Sequence, residues 1–307
     1  MVPQTVGRMK TNRDGIFLLR SPTHMPDLNS EGPQFSPPKP KEHGAWGMFC
    51  VPFVIGVGTA GSLTIETLWL LIAVTFAFLS QKPYAHLLSP KPSFPGAKWM
   101  RRNLAWFCVY AGTSAGVFAC LYLHYQMKGL QIFGLLSIPI VLAFSYFIRS
   151  KQVRTVPGEL TGIIGLTMTG PMAHYAATGK IQALGLWLWV LCILYFASSI
   201  FYVKAVVQNY LRVRSKVSTQ LSGMETACRF YHIGLAVILL GLVILKCLPP
   251  IASFAFIPII IRGLWASLKS RPRLSFAVIG WTEVGYSIFF ALVLIAGLRV
   301  GLAYPPR

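Results

Sequence analysis

Nine long apolar runs recur along the chain, near residues 45–61, 65–83, 104–124, 131–148, 159–178, 183–206, 230–248, 251–268 and 276–298. A run of about 18 or more apolar residues is what a helix rising ~1.5 Å per residue needs to cross a hydrocarbon core about 30 Å thick. In lipid no water satisfies a free N–H or C=O, so a span of this kind has to be helical. Several runs hold proline or paired glycines, among them Pro52, Pro139, Gly170-Pro171, Pro258 and the Gly158/Gly162 pair. Membrane helices tolerate these, because neighbouring helices re-satisfy the backbone and small residues let helices approach. The expectation is an all-α polytopic integral membrane helix bundle with about nine transmembrane helices.

Charge supports this reading. Only 12% of the 307 residues are charged, about half the share of a soluble domain. Lys and Arg number 28 against 8 Asp and Glu, a net charge of +20. In a soluble chain that excess would point to nucleic acid. Here the cations sit in short segments between apolar runs, where they report orientation and attraction to anionic headgroups, so no nucleic-acid partner is expected. Sorting the 28 cations across nine alternating spans puts 23 on the side of the N-terminus and 5 on the other. The positive-inside rule then predicts a cytoplasmic N-terminus and an extracytoplasmic C-terminus. Residues 1–43 carry both aspartates, Asp14 and Asp27, and a proline-rich stretch, with no apolar core of signal-peptide type. They read as a disordered cytoplasmic tail, followed by a transmembrane domain over 44–300 and a short extracytoplasmic C-terminus over 301–307. The six cysteines form no CxxC pair and mostly lie inside apolar runs, as small buried side chains do.

Polar residues at the edges of spans are the candidates for function. They gather at the cytoplasmic ends: His43 before the first span, Lys82 and Tyr84 after the second, Arg154 and Glu159 at the fifth, Tyr202, Lys204, Asn209 and Arg212 at the sixth, and His232 in the seventh. Glu283 lies about two turns inside the ninth. Lysines and arginines in such places also snorkel to headgroups, and Trp46 fits an interfacial anchor. A carboxylate beside or inside a span is costly unless paired, so Glu159 and Glu283 need cationic partners. No aspartate follows Asp27, and the remaining acids are scattered singly. A Mg²⁺–diphosphate site needs grouped carboxylates, so no metal and no cofactor are expected. Neither an HxxxH nor an HExxH spacing nor a P-loop is present.

Three segments carry a resemblance. Lys39-Pro-Lys-Glu-His-Gly-Ala-Trp-Gly-Met leads into Val51-Pro-Phe-Val-Ile-Gly; Arg154-Thr-Val-Pro-Gly-Glu runs on to Gly170-Pro-Met-Ala-His-Tyr-Ala-Ala-Thr-Gly179; Ser198-Ser-Ile-Phe-Tyr-Val-Lys-Ala is followed by Tyr231-His-Ile-Gly. Together they resemble the YwiC-like family of bacterial membrane proteins over roughly residues 39–300. A fainter likeness ties the chain to the UbiA-type intramembrane prenyltransferases. It implies a UbiA-like arrangement of nine helices, in a bacterial inner membrane, around a cytoplasm-facing cavity. Where that superfamily has its two Asp-rich motifs, this chain has Gln81, Lys82 and Tyr84, and Lys204, Asn209 and Arg212. The resemblance thus implies an isoprenoid or lipid ligand with an anionic head held by Lys82, Lys204 and Arg212 in place of a metal. Tyr84, Arg154, Tyr202, Asn209 and Glu283 would complete the ligand site. A metal-independent transferase would use Glu159, His43 or His232 as base. A membrane transporter, or a non-catalytic assembly partner, is the alternative. The expectation for geometry is that His43, Lys82, Glu159, Lys204 and His232 converge on one cavity with apolar, aromatic deeper walls. No sequence feature reports the oligomeric state.

Overall fold

Local chemistry sets most of the helix ends. The structure is a computed structural model that describes residues 43–89, 96–215, 223–268 and 276–303, with side chains over 44–89, 96–210, 223–268 and 278–301. Helix α1 (His43–Ala60) stops at Gly61, which takes a positive φ of 82°. Helix α2 (Ile65–Leu88) starts at Thr64, whose hydroxyl caps it by accepting the Thr67 amide at 3.3 Å. Helices α3 (Ala97–Leu123) and α4 (Leu130–Arg149) follow. Thr155 caps α5 (Val156–Thr167), with Pro157 in the first turn and Glu159 beside the positive end of the helix. Pro171 lacks an amide and its ring crowds the carbonyl of Thr167 one turn back. The helix therefore breaks at Met168 and resumes as α6 (Thr169–Thr178). Gly179, at φ 69°, ends it. Helices α7 (Ala183–Ser215) and α8 (Gly223–Ile244) are unbroken. A short α9 (Pro250–Ser253) passes through a 3₁₀ turn into α10 (Ile257–Leu268), and α11 spans Phe276–Ala303.

These elements group into nine successive segments, with α5–α6 and α9–α10 as broken pairs. Seven of them are long and apolar enough to cross a membrane, and α1 is a shorter apolar helix. Every element among the described residues is helical. The all-α membrane bundle expected from the sequence is the observed architecture. Helix α7 runs past residue 206, where its span was expected to stop. Of the expected tail, only His43 is described, as the first residue of α1, and α11 covers 301–303 of the expected C-terminus.

Among the described residues, two large apolar cores and a smaller cluster around Tyr202, Val206, Ala266 and Ile279 hold the bundle. In one large core, Tyr195 of α7 stacks on Phe290 of α11 at 3.8 Å, and Phe256 meets Phe290 edge-on. The other large core joins α1, α2, α4 and α6 through Phe49, Phe78, Phe133 and Met172. Trp46 belongs to this second core: its ring meets Phe78 edge-on at 4.9 Å, which makes it a packing residue more than an interfacial anchor. Helix α6 is buried from Thr169 to Ala177. It crosses α1 so closely that a Cβ on Gly56 would stand 2.2 Å from the carbonyl oxygen of Gly170. Helix α3, by contrast, packs chiefly on α2, and α4 packs on α5 and more lightly on α2. The facing sides of α3 and α4 stay apart.

Candidate functional site

The gap between α3 and α4 is a cavity of about 820 Å³. Helix α3 lines it with Phe107, Ala111, Phe118 and Tyr122, one stripe at helical spacing, and α4 with a face running from Leu130 to Phe144. The fifteen residues from Leu130 to Phe144 rise about 21 Å along the helix, much of the thickness of a bilayer core. Gly134 on α4 and Gly162 and Gly165 on α5 leave the room. Phe49 and Phe78, stacked at 5.2 Å, form the inner wall against α6. Tyr84 holds one end. Its hydroxyl lies 2.6 Å from Ser145 Oγ of α4, and its ring stacks on Phe107 of α3, so one side chain ties α2, α3 and α4.

Among the described residues, two ion pairs lie outside this lining. In the first, Lys204 Nζ of α7 donates to Glu159 Oε1 of α5 at 3.1 Å and to the carbonyl of Arg154 at 2.7 Å. The side chains are 24% and 35% exposed, so the pair is worth at most about 1 kcal/mol. It pins the start of α5 to α7. Arg154 takes part through its backbone, and its side chain is exposed. The second pair is buried. Arg262 Nη1 of α10 bonds Glu283 Oε1 of α11, and Ser199 Oγ of α7 donates to the other carboxylate oxygen at 2.7 Å. The guanidinium lies over the rings of Tyr202 at 4.1 Å and Tyr286 at 4.7 Å. Arg262 was counted from the sequence as a loop cation. Its position inside the run 251–268 was the signal that it belongs to the bundle interior.

The predicted residues therefore occupy several places. Glu159 and Lys204 are brought together, as are Tyr202 and Glu283 through Arg262. Tyr84 lines the cavity. Lys82 is half-buried on α2, which packs on α3, α6 and α4, and it does not line the cavity. His232 is fully buried between α8 and α10: its Nδ1 donates to the Cys228 carbonyl at 2.7 Å, and its ring lies flat on Gly263. Asn209 is buried on α7. The side chains of His43 and Arg212 lie outside the described residues. Helix α7 is the reason the groups separate, since Lys204 faces α5 while Ser199 and Tyr202 face α10 and α11. Sequence reasoning named nothing on α3 or α4. Gly134 on α4, with Gly162 and Gly165 facing it from α5, was the trace left in the sequence.

Comparison with known proteins adds the family. The chain is 28% identical to the uncharacterized protein YwiC of Bacillus subtilis (strain 168) over 173 residues, 55% of this chain and 67% of that protein. It is 24% identical to an uncharacterized protein of Haemophilus influenzae over 258 residues, 84% of this chain and 97% of that one. No solved structure matches it. Residues 40–174, which build α1 through most of α6 and carry the cavity lining, match the model of the YwiC-like protein family.

Proposed function

We propose that this protein binds a long-chain lipid or isoprenoid in the cavity between α2, α3, α4 and α5, in a bacterial inner membrane. The carrying observation is the unmated pair of faces on α3 and α4, which enclose about 820 Å³ lined chiefly by apolar and aromatic side chains. Small-molecule sites have volumes of about 300–1,000 Å³ and the same mostly apolar walls with a few polar groups. A slot about 21 Å deep suits an extended chain better than a compact solute. The 23-to-5 split of cations supports an N-terminus in the cytoplasm and a C-terminus outside. The end of the cavity at Tyr84 then faces the cytoplasm. Binding is favoured over group transfer because Glu159, the carboxylate a transferase would use as base, is engaged by Lys204.

The test is to fill the slot. Gly134 lines the cavity and a Cβ there meets nothing within 4 Å, so Gly134→Leu adds bulk without striking backbone. Gly112 on α3 is exposed, also has nothing within 4 Å, and does not line the cavity, so Gly112→Leu is the control. The full chain, purified in mild detergent, should retain a long-chain lipid by mass spectrometry. It should also take up a palmitoyl diazirine probe on α3 or α4 peptides. Gly134→Leu should lose both and Gly112→Leu neither. Equal retention and labelling in all three proteins would overturn the reading.

A further inference from the structure

The cavity's polar groups say what kind of head such a ligand carries. Resting on the lipid-binding reading, we infer that the ligand bears an uncharged, hydroxyl-type head seated at the Tyr84 end of the cavity, with its chain running between α3 and α4. No lining residue is Lys, Arg, Asp, Glu or His. An ionised phosphate drawn into this lining would lose its water with no cation to replace it, a cost of several kcal/mol or more. The two lysines expected from the sequence to hold an anionic head do not supply one. Lys204 is held by Glu159 and the Arg154 carbonyl, and Lys82 stands outside the lining.

The uncharged groups at the Tyr84 end have a definite polarity. Ser80, Gln81 and Tyr84 of α2 and Thr161 of α5 line the same end. Ser80 gives its proton to the Ala77 carbonyl at 2.7 Å, and Thr161 gives its proton to the Pro157 carbonyl at 2.9 Å. Ser145 spends its own on the Val141 carbonyl, so in the Tyr84–Ser145 bond the phenol is the donor. Each hydroxyl oxygen therefore keeps acceptor lone pairs and has no proton left to give. Gln81 is different. Its amide makes no hydrogen bond to the described residues and can both donate and accept. A head that donates an O–H to these oxygens and accepts from Gln81 completes the set. A fully esterified head could accept from Gln81 but has no O–H to give the hydroxyl oxygens, and a purely hydrocarbon head could do neither. The shared chemistry is an alcohol on a long apolar chain, whether a prenyl alcohol or a diacylglycerol.

The experiment uses the full chain in nanodiscs and four probes with the same diazirine group in the chain: a prenyl alcohol, a diacylglycerol, a prenyl phosphate and a phosphatidic acid. Both alcohols should label cavity peptides at least about tenfold more than the phosphates, the ratio expected for a desolvated head left without partners. If only one alcohol labels, that names the source and still supports the head assignment. Labelling should not fall as salt rises, and Gln81→Leu should reduce it several-fold. Gln81→Lys supplies the missing cation and should move the preference towards the phosphates, a gain that misfolding cannot mimic. Phosphate probes that label the wild-type protein better than alcohols would overturn the head assignment while leaving lipid binding in place. No cavity labelling by any probe, with Gly134→Leu unchanged from wild type, would instead remove the lipid-binding reading beneath it.

Discussion

Glu283→Gln isolates the buried charge pair with the least change in shape. In the native protein the carboxylate accepts from Arg262 and from Ser199, and the guanidinium is sandwiched by Tyr202 and Tyr286. The Arg262 side chain is 6% exposed and that of Glu283 19%, so neither charge is well hydrated. The amide keeps the bond to Ser199 but leaves Arg262 as an uncompensated charge inside the bundle. Removing one partner of a buried pair costs about 3–5 kcal/mol. The cation–π contacts, worth about 0.5–2 kcal/mol, survive the substitution and soften the loss. At roughly 2 °C per kcal/mol for a chain of this size, the apparent Tm in detergent should fall by about 6–10 °C. The assay is thermal unfolding followed by tryptophan fluorescence, with size-exclusion profiles to confirm that the starting state is folded. The double variant Arg262→Met with Glu283→Leu removes both charges together and should recover most of the loss, since apolar replacements of buried pairs are often neutral or better. A Glu283→Gln protein within about 1 °C of wild type, or a double variant no more stable than the single one, would refute the claim that the penalty is an unpaired buried charge.

Two further outcomes follow from the packing and the charge distribution. Gly56→Ala forces a methyl against the Gly170 carbonyl at the α1–α6 crossing and should cost about 1–3 kcal/mol, whereas Gly112→Ala, with nothing within 4 Å, should be neutral or slightly stabilising in the same melt. A topology reporter fused after Arg307 should register outside the cytoplasm and one inserted within residues 1–42 inside it; the same side for both would overturn the orientation.

How far the chain could be read from its sequence depends on which property each feature needs. Crossing a membrane is a one-dimensional property. A run such as 131–148 is either long and apolar enough or it is not, whereas the Pro171 break inside the expected span 159–178 is a local backbone feature that hydropathy does not show. Facing a cavity is a property of one side of a helix, and in a membrane that side carries little signal, because the lipid outside is as apolar as the interior. On α3, Phe107 lines the cavity while Val109, two residues on, is 51% exposed; on α4, Phe133 lines it while Leu135 is 66% exposed. Nothing in hydropathy separates the members of either pair. Polar residues are conspicuous for the opposite reason, being rare and costly there. Glu159 and Glu283 were therefore visible as residues in need of cations, but not which cation each would find. That depends on the rotation of α7, which turns Lys204 to α5 and Ser199 to Glu283. Arg262 shows the same limit from the other side. Counting cations at helix ends is robust to one error, and the asymmetry of the count barely changes without Arg262. Yet the count treats every cation as facing the headgroups, and so it missorts the one that faces a carboxylate inside the bundle. The neutral lining at the Tyr84 end is likewise a fact about faces: Lys82 follows Gln81 directly in the sequence, and only the helix decides which of the two meets the cavity.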